Sequence, residues 1–169
     1  MNDLIFNLKK DPTQRDSPAW RYKLEAIDTA ALWLHGSIPR SWLASTTLVP
    51  IPPSKHQNDP GHDDRLVRVL KKLQDLAGHS DVRELVVQRR SYEPSHAVST
   101  RPGPGDLRSI YFLDPGCSTP RPRTVTLFDD VITTGSHFRA AKDLLLRSWP
   151  DLRIVGLFLA RAVRIEPQG

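Results

Sequence analysis

Cysteine is nearly missing from this chain of 169 residues: Cys117 stands alone, which excludes an internal disulfide and a cysteine-built zinc cluster. It falls in a Pro/Gly-rich loop, DPGCSTP, with no evident histidine partner, and is read as incidental rather than nucleophilic. Long apolar runs are missing too. No stretch approaches the roughly 20 apolar residues needed to span a bilayer, so no membrane partner is expected. The amino end, MNDLIFNLKKDPTQRD, has too short an apolar run for a secretory h-region and carries acids among its lysines, so the expected location is cytoplasmic. Its first dozen residues are expected to be loosely held. There is no internal repeat, no long basic tail and no recognisable nucleic-acid module.

What is there suits one soluble globular unit, with 38% apolar and 25% charged residues. The balance of 24 basic against 19 acidic residues, a net charge of +5, favours anionic partners. Small phosphorylated ligands explain it economically. Nucleic acid stays open without being indicated, and so does a homodimer.

Helical spacing of Trp20, Leu24, Ile27, Ala31 and Leu34 predicts a helix that Ser17 and Pro18 start and Gly36 ends. Trp20, Trp33 and Trp42 are read as packing residues. Thr46 to Ile51, TTLVPI, reads as a first central strand stopped by Pro52 and Pro53. Asp64 to Ala77 is an amphipathic covering helix closed by Gly78, with Arg65, Arg68, Lys71 and Lys72 read as its solvated face. Arg83 to Gln88, RELVVQ, is a second strand candidate. Arg89 to Asp106 lacks periodicity and reads as a long loop, with Ser109 to Leu113 returning as a strand. Arg153 to Val163 is the last central strand. The order predicts an α/β protein: a Rossmann-like parallel sheet flanked by helices, with ligands beyond the carboxyl ends of its strands.

The densest chemistry lies in Val125 to Ser136, VTLFDDVITTGS. A β-branched and aromatic run predicts a buried strand, and from Phe138 the positions Ala141, Leu144, Leu145 and Trp149 share a helical face. Between them Thr133, Thr134, Gly135 and Ser136 form a turn without bulky side chains. Several backbone N–H groups can there converge on one anion, where the helix dipole also favours negative charge. Asp129 and Asp130 at the strand's end accept hydrogen bonds only, as the hydroxyls of a phosphorylated sugar require. The simpler alternative is two solvated aspartates followed by an ordinary helix cap.

These residues resemble the phosphoribosyl pyrophosphate (PRPP) binding signature of type I phosphoribosyltransferases. Thr126 stands where that family prefers an aliphatic residue, and His137 where it usually has a small hydroxyl. From VPIPPSK through RSIYFL to LFDDVITTGS the chain resembles the ComF-like, amidophosphoribosyltransferase-related branch over roughly residues 46 to 163. That branch's cysteine-rich zinc element has no counterpart here, and Gly61-His62 followed by Arg65 only echoes its arginine-glycine pair.

The resemblance implies the type I phosphoribosyltransferase fold, with an amino-terminal helical hood over residues 1–45 and a core over 46–169. It further implies a 5′-phosphate loop of Val131, Ile132, Thr133, Thr134, Gly135, Ser136 and His137, and a pyrophosphate loop of Pro53, Ser54 and Lys55. That second loop also reads as a plain exposed connection. Arg89, Arg90, His96 and Arg101 could reach pyrophosphate from a closing lid, and Arg101 stands with Asp129, Asp130 and Lys55 as the catalytic set. The ligand would be PRPP or a nucleoside monophosphate. Mg²⁺ would arrive with PRPP rather than in a cage held by protein alone. The implied reaction moves phosphoribosyl to or from a nitrogenous base or amine with release of pyrophosphate. The alternatives are a non-catalytic PRPP or nucleotide sensor, with a link to nucleic-acid processes left open, and a nucleic-acid module without a sugar site.

Overall fold

The structure is a computed structural model that describes residues 2–92 and 104–162. At its centre lie β1 (Thr47–Pro50), β2 (Asp81–Val82), β5 (Thr124–Ile132) and β6 (Arg153–Arg161), parallel throughout and ordered β2-β1-β5-β6. The helices are α1 (Asn2–Leu8), α2 (Trp20–Ser37), α3 (Arg40–Ser45), α4 (Arg65–Ala77), α5 (Pro104–Ile110) and α6 (Ser136–Ser148). A separate antiparallel pair joins β3 (Val86–Gln88) to β4 (Tyr111–Leu113). This is the expected Rossmann-like α/β fold, a parallel sheet flanked by helices. Among the described residues no helix is long and apolar enough to cross a membrane.

Alternation along the strands divides the interior into two layers. Leu48 and Phe128 join Ile27, Leu34, Leu70 and Leu73 on the face covered by α1, α2, α3 and α4. Val49, Val125 and Leu127 join Leu107, Ala141 and Leu145 on the face covered by α5 and α6. Thr126, unusual for its position, is 1% exposed, and its hydroxyl pairs with that of Thr46 at 2.9 Å, so no polar atom is stranded there. The stripe of α4 is buried as expected, and Gly78 ends the helix in the left-handed conformation at φ 76°.

Several expectations need correction. The amino end is not loose: α1 packs on α2 and buries Leu4 and Leu8. Helix α2 starts at Trp20 without a side-chain cap, and the Ser17 hydroxyl has no partner among the described residues. It runs through Gly36 to Ser37, because a helix end needs a competing cap geometry that glycine alone does not impose. Lys23, not Leu24, faces inward. Trp33 and Trp42 are exposed at 45% and 37% rather than packed. The RELVVQ segment does not enter the parallel sheet. Asp81–Val82 forms its edge instead, and Val86–Gln88 pairs with β4. Pro104 to Ile110, expected as loop and strand, is helical and leaves only Tyr111–Leu113 extended.

Candidate functional site

Because β1 and β5 run parallel and adjacent, the loops that follow them open at the same edge of the sheet. Between those loops lies a cavity of about 300 Å³. Its walls carry Lys9, Pro53, Ser54, Arg65, Asp129, Asp130, Val131, Thr133, Thr134, Ser136 and His137. The two loops singled out in the sequence therefore do meet. Ile132 and Gly135 shape the turn without lining the cavity. Gly135 holds φ 73° as the residue before α6, a conformation that only glycine adopts without strain. It offers no side chain to cap the helix, so the first-turn N–H groups of α6 receive no bond from that position. Thr134 and Ser136 link their hydroxyls at 2.9 Å.

The two acids differ sharply. Asp130 is 2% exposed and engaged: Arg65 Nε and Nη2 donate to its Oδ2 at 3.0 and 2.8 Å, and Lys9 Nζ lies 3.4 Å from Oδ1. Arg65 Nη1 reaches Asp63 at 2.7 Å, and Asp63 also accepts from the fully buried Lys23 at 2.8 Å. Burial alone would raise the pKa of Asp130, but the Arg65 and Lys9 cations overcome it and hold the carboxyl below its ordinary value. Burial likewise opposes charge on Arg65, yet Asp130 and Asp63 more than restore it and raise its pKa. Burial lowers the Lys23 pKa against the pull of its bond to Asp63.

Among the described residues Asp129 has no such ion pair. One oxygen accepts the Asp130 backbone N–H at 2.8 Å. Burial, then the neighbouring Asp130 charge, push its pKa up to about 7 against the attraction of Arg65. It is thus the acid of the pair that can change protonation near neutrality.

His137 sits in the first turn of α6, and its Nδ1 lies 2.8 Å from the Tyr111 hydroxyl and 3.4 Å from that of Tyr92. Burial lowers its pKa, which favours the neutral ring. Burial also raises Tyr92 to about 12 and Tyr111 well above its usual value, so both phenols stay protonated. The Tyr92 backbone N–H donates to the Ser54 carbonyl at 2.9 Å. Through this cluster the turn before α6, the β3–β4 pair and the loop after β1 are tied together.

Other sequence candidates lie elsewhere. Lys55 lines a neighbouring cavity rather than this one. Arg89 stacks its guanidinium 4.9 Å from the Phe112 ring centre. Arg101 and His96 lie outside the described residues. Arg65, read from sequence as a solvated helix face, is instead the main partner of Asp130. Lys9, Asp63, Tyr92 and Tyr111 were not singled out at all. One signal was available: Lys23 recurs on the apolar stripe of α2, where a charge must find a buried partner. Cys117 is partly buried, and desolvation raises its pKa, the opposite of an activated thiol. No protein-family model and no curated protein matches the chain.

Proposed function

We propose that the cavity binds a phosphorylated ribose of the PRPP type and that the protein transfers phosphoribosyl to or from a nitrogenous base or amine. The observation that carries this reading is the shared opening of the glycine turn before α6, Asp129 and the Pro53–Ser54 loop on one cavity of about 300 Å³. The amides at the start of α6 suit a 5′-phosphate, since they are donors at the positive end of a helix dipole. Asp129, when ionised, suits ribose hydroxyls as acceptor.

Lys9 and Arg65 add cationic character beside the sugar position, although Asp130 already engages both. Mg²⁺ takes oxygen ligands and keeps several waters. Among the described residues Asp129 is the wall carboxylate without an ion pair, so the donor set fits an ion carried mainly by diphosphate oxygens. That ion would neutralise the departing pyrophosphate.

A second reading, PRPP or nucleotide sensing without turnover, is favoured by one specific observation. The Asp130 carboxylate is committed to Arg65 and Lys9, and Lys55 faces a different cavity, so fewer groups remain for leaving-group chemistry. Incubation with PRPP, Mg²⁺ and a panel of nucleobases separates the two. Base-dependent pyrophosphate release supports transfer. Binding without release supports sensing, and absence of both removes the phosphosugar reading.

A further inference from the structure

The two edges of the central sheet are built differently. β2 closes one edge with two residues, and its Asp81 carboxylate already accepts from Thr47 and Arg83. β6 forms the other edge over nine residues and pairs with β5 alone among the described residues. Its stretch 154–160, IVGLFLA, holds no charge and no proline. Long edge strands are normally guarded by such residues, because a bare row of N–H and C=O groups templates a further strand.

Burial points the same way. Every residue of β1 is buried, whereas none of residues 154–160 is. Val155 is 40% exposed. Leu157 and Leu159 are only partly buried against the core layer of α2 and α4, and Ile154 against that of α6. Both apolar layers therefore run out to this edge without being closed.

The backbone restricts how a mate sits. Phe128 turns its carbonyl to the Ile51 N–H, so its neighbours in β5 face β6, and the register turns the backbone groups of Arg153, Val155 and Leu157 back toward them. The bond from the Arg153 N–H to the Arg123 carbonyl agrees with this. The N–H and C=O of Ile154, Gly156 and Phe158 then point outward. Charge selects among the antiparallel registers that this alternation allows. A two-fold axis through Leu157 sets Arg153 against Arg161 twice, whereas one through Gly156 sets the exposed Arg161 level with the exposed Asp151 of the other copy.

We infer that β6 is a dimer interface: a second copy of this chain adds its β6 antiparallel about a two-fold axis at Gly156, joining the two four-stranded sheets into one. The occupant is a second copy because the edge complements itself. Ile154 meets Phe158, Val155 meets Leu157 and Arg161 meets Asp151, each twice. The interface does not depend on the function proposed for the cavity.

Sedimentation equilibrium of the full chain over about 1–100 μM tests this, and a reversible monomer–dimer equilibrium is the expected result. Val155→Lys alters a position already exposed in a single copy and sets an ammonium against Leu157 of the other. It is expected to weaken dimerisation at least about tenfold. Arg161→Glu serves if that variant does not fold, and is expected to weaken dimerisation at least about threefold by opposing two acids. Adding Asp151→Lys to Arg161→Glu is expected to recover affinity, which an interface elsewhere or in another register would not do. A chain that stays monomeric, as when another segment or another protein covers β6, overturns the proposal. So does a dimer that survives Val155→Lys or Arg161→Glu unweakened, or a double variant no tighter than Arg161→Glu alone.

Discussion

Arg65 holds the buried Asp130 and the half-buried Asp63 at once, and the loss of its guanidinium would leave Asp130 paired only with Lys9 among the described residues. Asp130 is nearly sealed from water, so solvent replaces the guanidinium poorly there, while Asp63 keeps its bond to Lys23. Breaking a buried pair from one side is costly, so Arg65→Ala is expected to lower unfolding free energy by about 3–5 kcal/mol, read by urea denaturation. Asp129 behaves in the opposite sense. Its pKa near 7 in the folded state exceeds the ordinary carboxylate value, so the folded protein holds a proton that the unfolded chain releases. Stability from this group is complete below about pH 4 and is lost as pH rises through 7. Asp129→Asn is therefore expected to be more stable than the parent at pH 8, on the order of 1–3 kcal/mol, with the difference vanishing toward pH 4. Thermal melts across that range check it. A gap that widens toward acid would contradict the assignment of Asp129 as the acid with the raised pKa. Neither role was legible beforehand. Composition and periodicity place Arg65 and Asp129 on their elements, but only the fold decides which charges end up buried together.

At the scale of elements, the strand, turn and helix over Thr124–Ser148 were legible because several signals agree: a β-branched run, a glycine in the turn and an apolar helical stripe. The amphipathic α4 was legible for the same reason. The β3–β4 pair was not, since strands of three residues carry too little alternation to separate an antiparallel pair from an arm of the main sheet. Nor was α5, whose first residues Pro104 and Gly105 read as loop chemistry although proline is well tolerated in a first helical turn. One close approach on β6 is equally invisible from sequence. A Cβ on Gly156 would meet the Phe158 ring at 2.7 Å and the Phe138 ring at 3.0 Å, where those rings pack edge to face. Gly156→Ala is expected to destabilise by about 1–3 kcal/mol through overpacking between β6 and α6, measured by chemical denaturation.

Over the whole molecule, the parallel sheet brings the ends of β1 and β5 to one edge, and the α2–α4 layer delivers Arg65 and Lys23 beneath the acids while α1 leads into Lys9. The amino-terminal segment thus shares one charge network with the strand that bears Asp129 and Asp130. This long-range convergence gives the site its electrostatics, and Lys23, a charge on an apolar helical stripe, is its one local signal in the sequence. On the function proposed for it, this edge grips a phosphorylated ribose with Asp129 as an acceptor of its hydroxyls. Calorimetric titration of PRPP with Mg²⁺ at pH 8, into the parent and Asp129→Asn, tests it most directly. Saturable binding by the parent and at least about tenfold weaker binding by the folded variant is the expected result, the scale of about 1.4 kcal/mol. No binding to the parent, or equal affinity in both proteins, would contradict it.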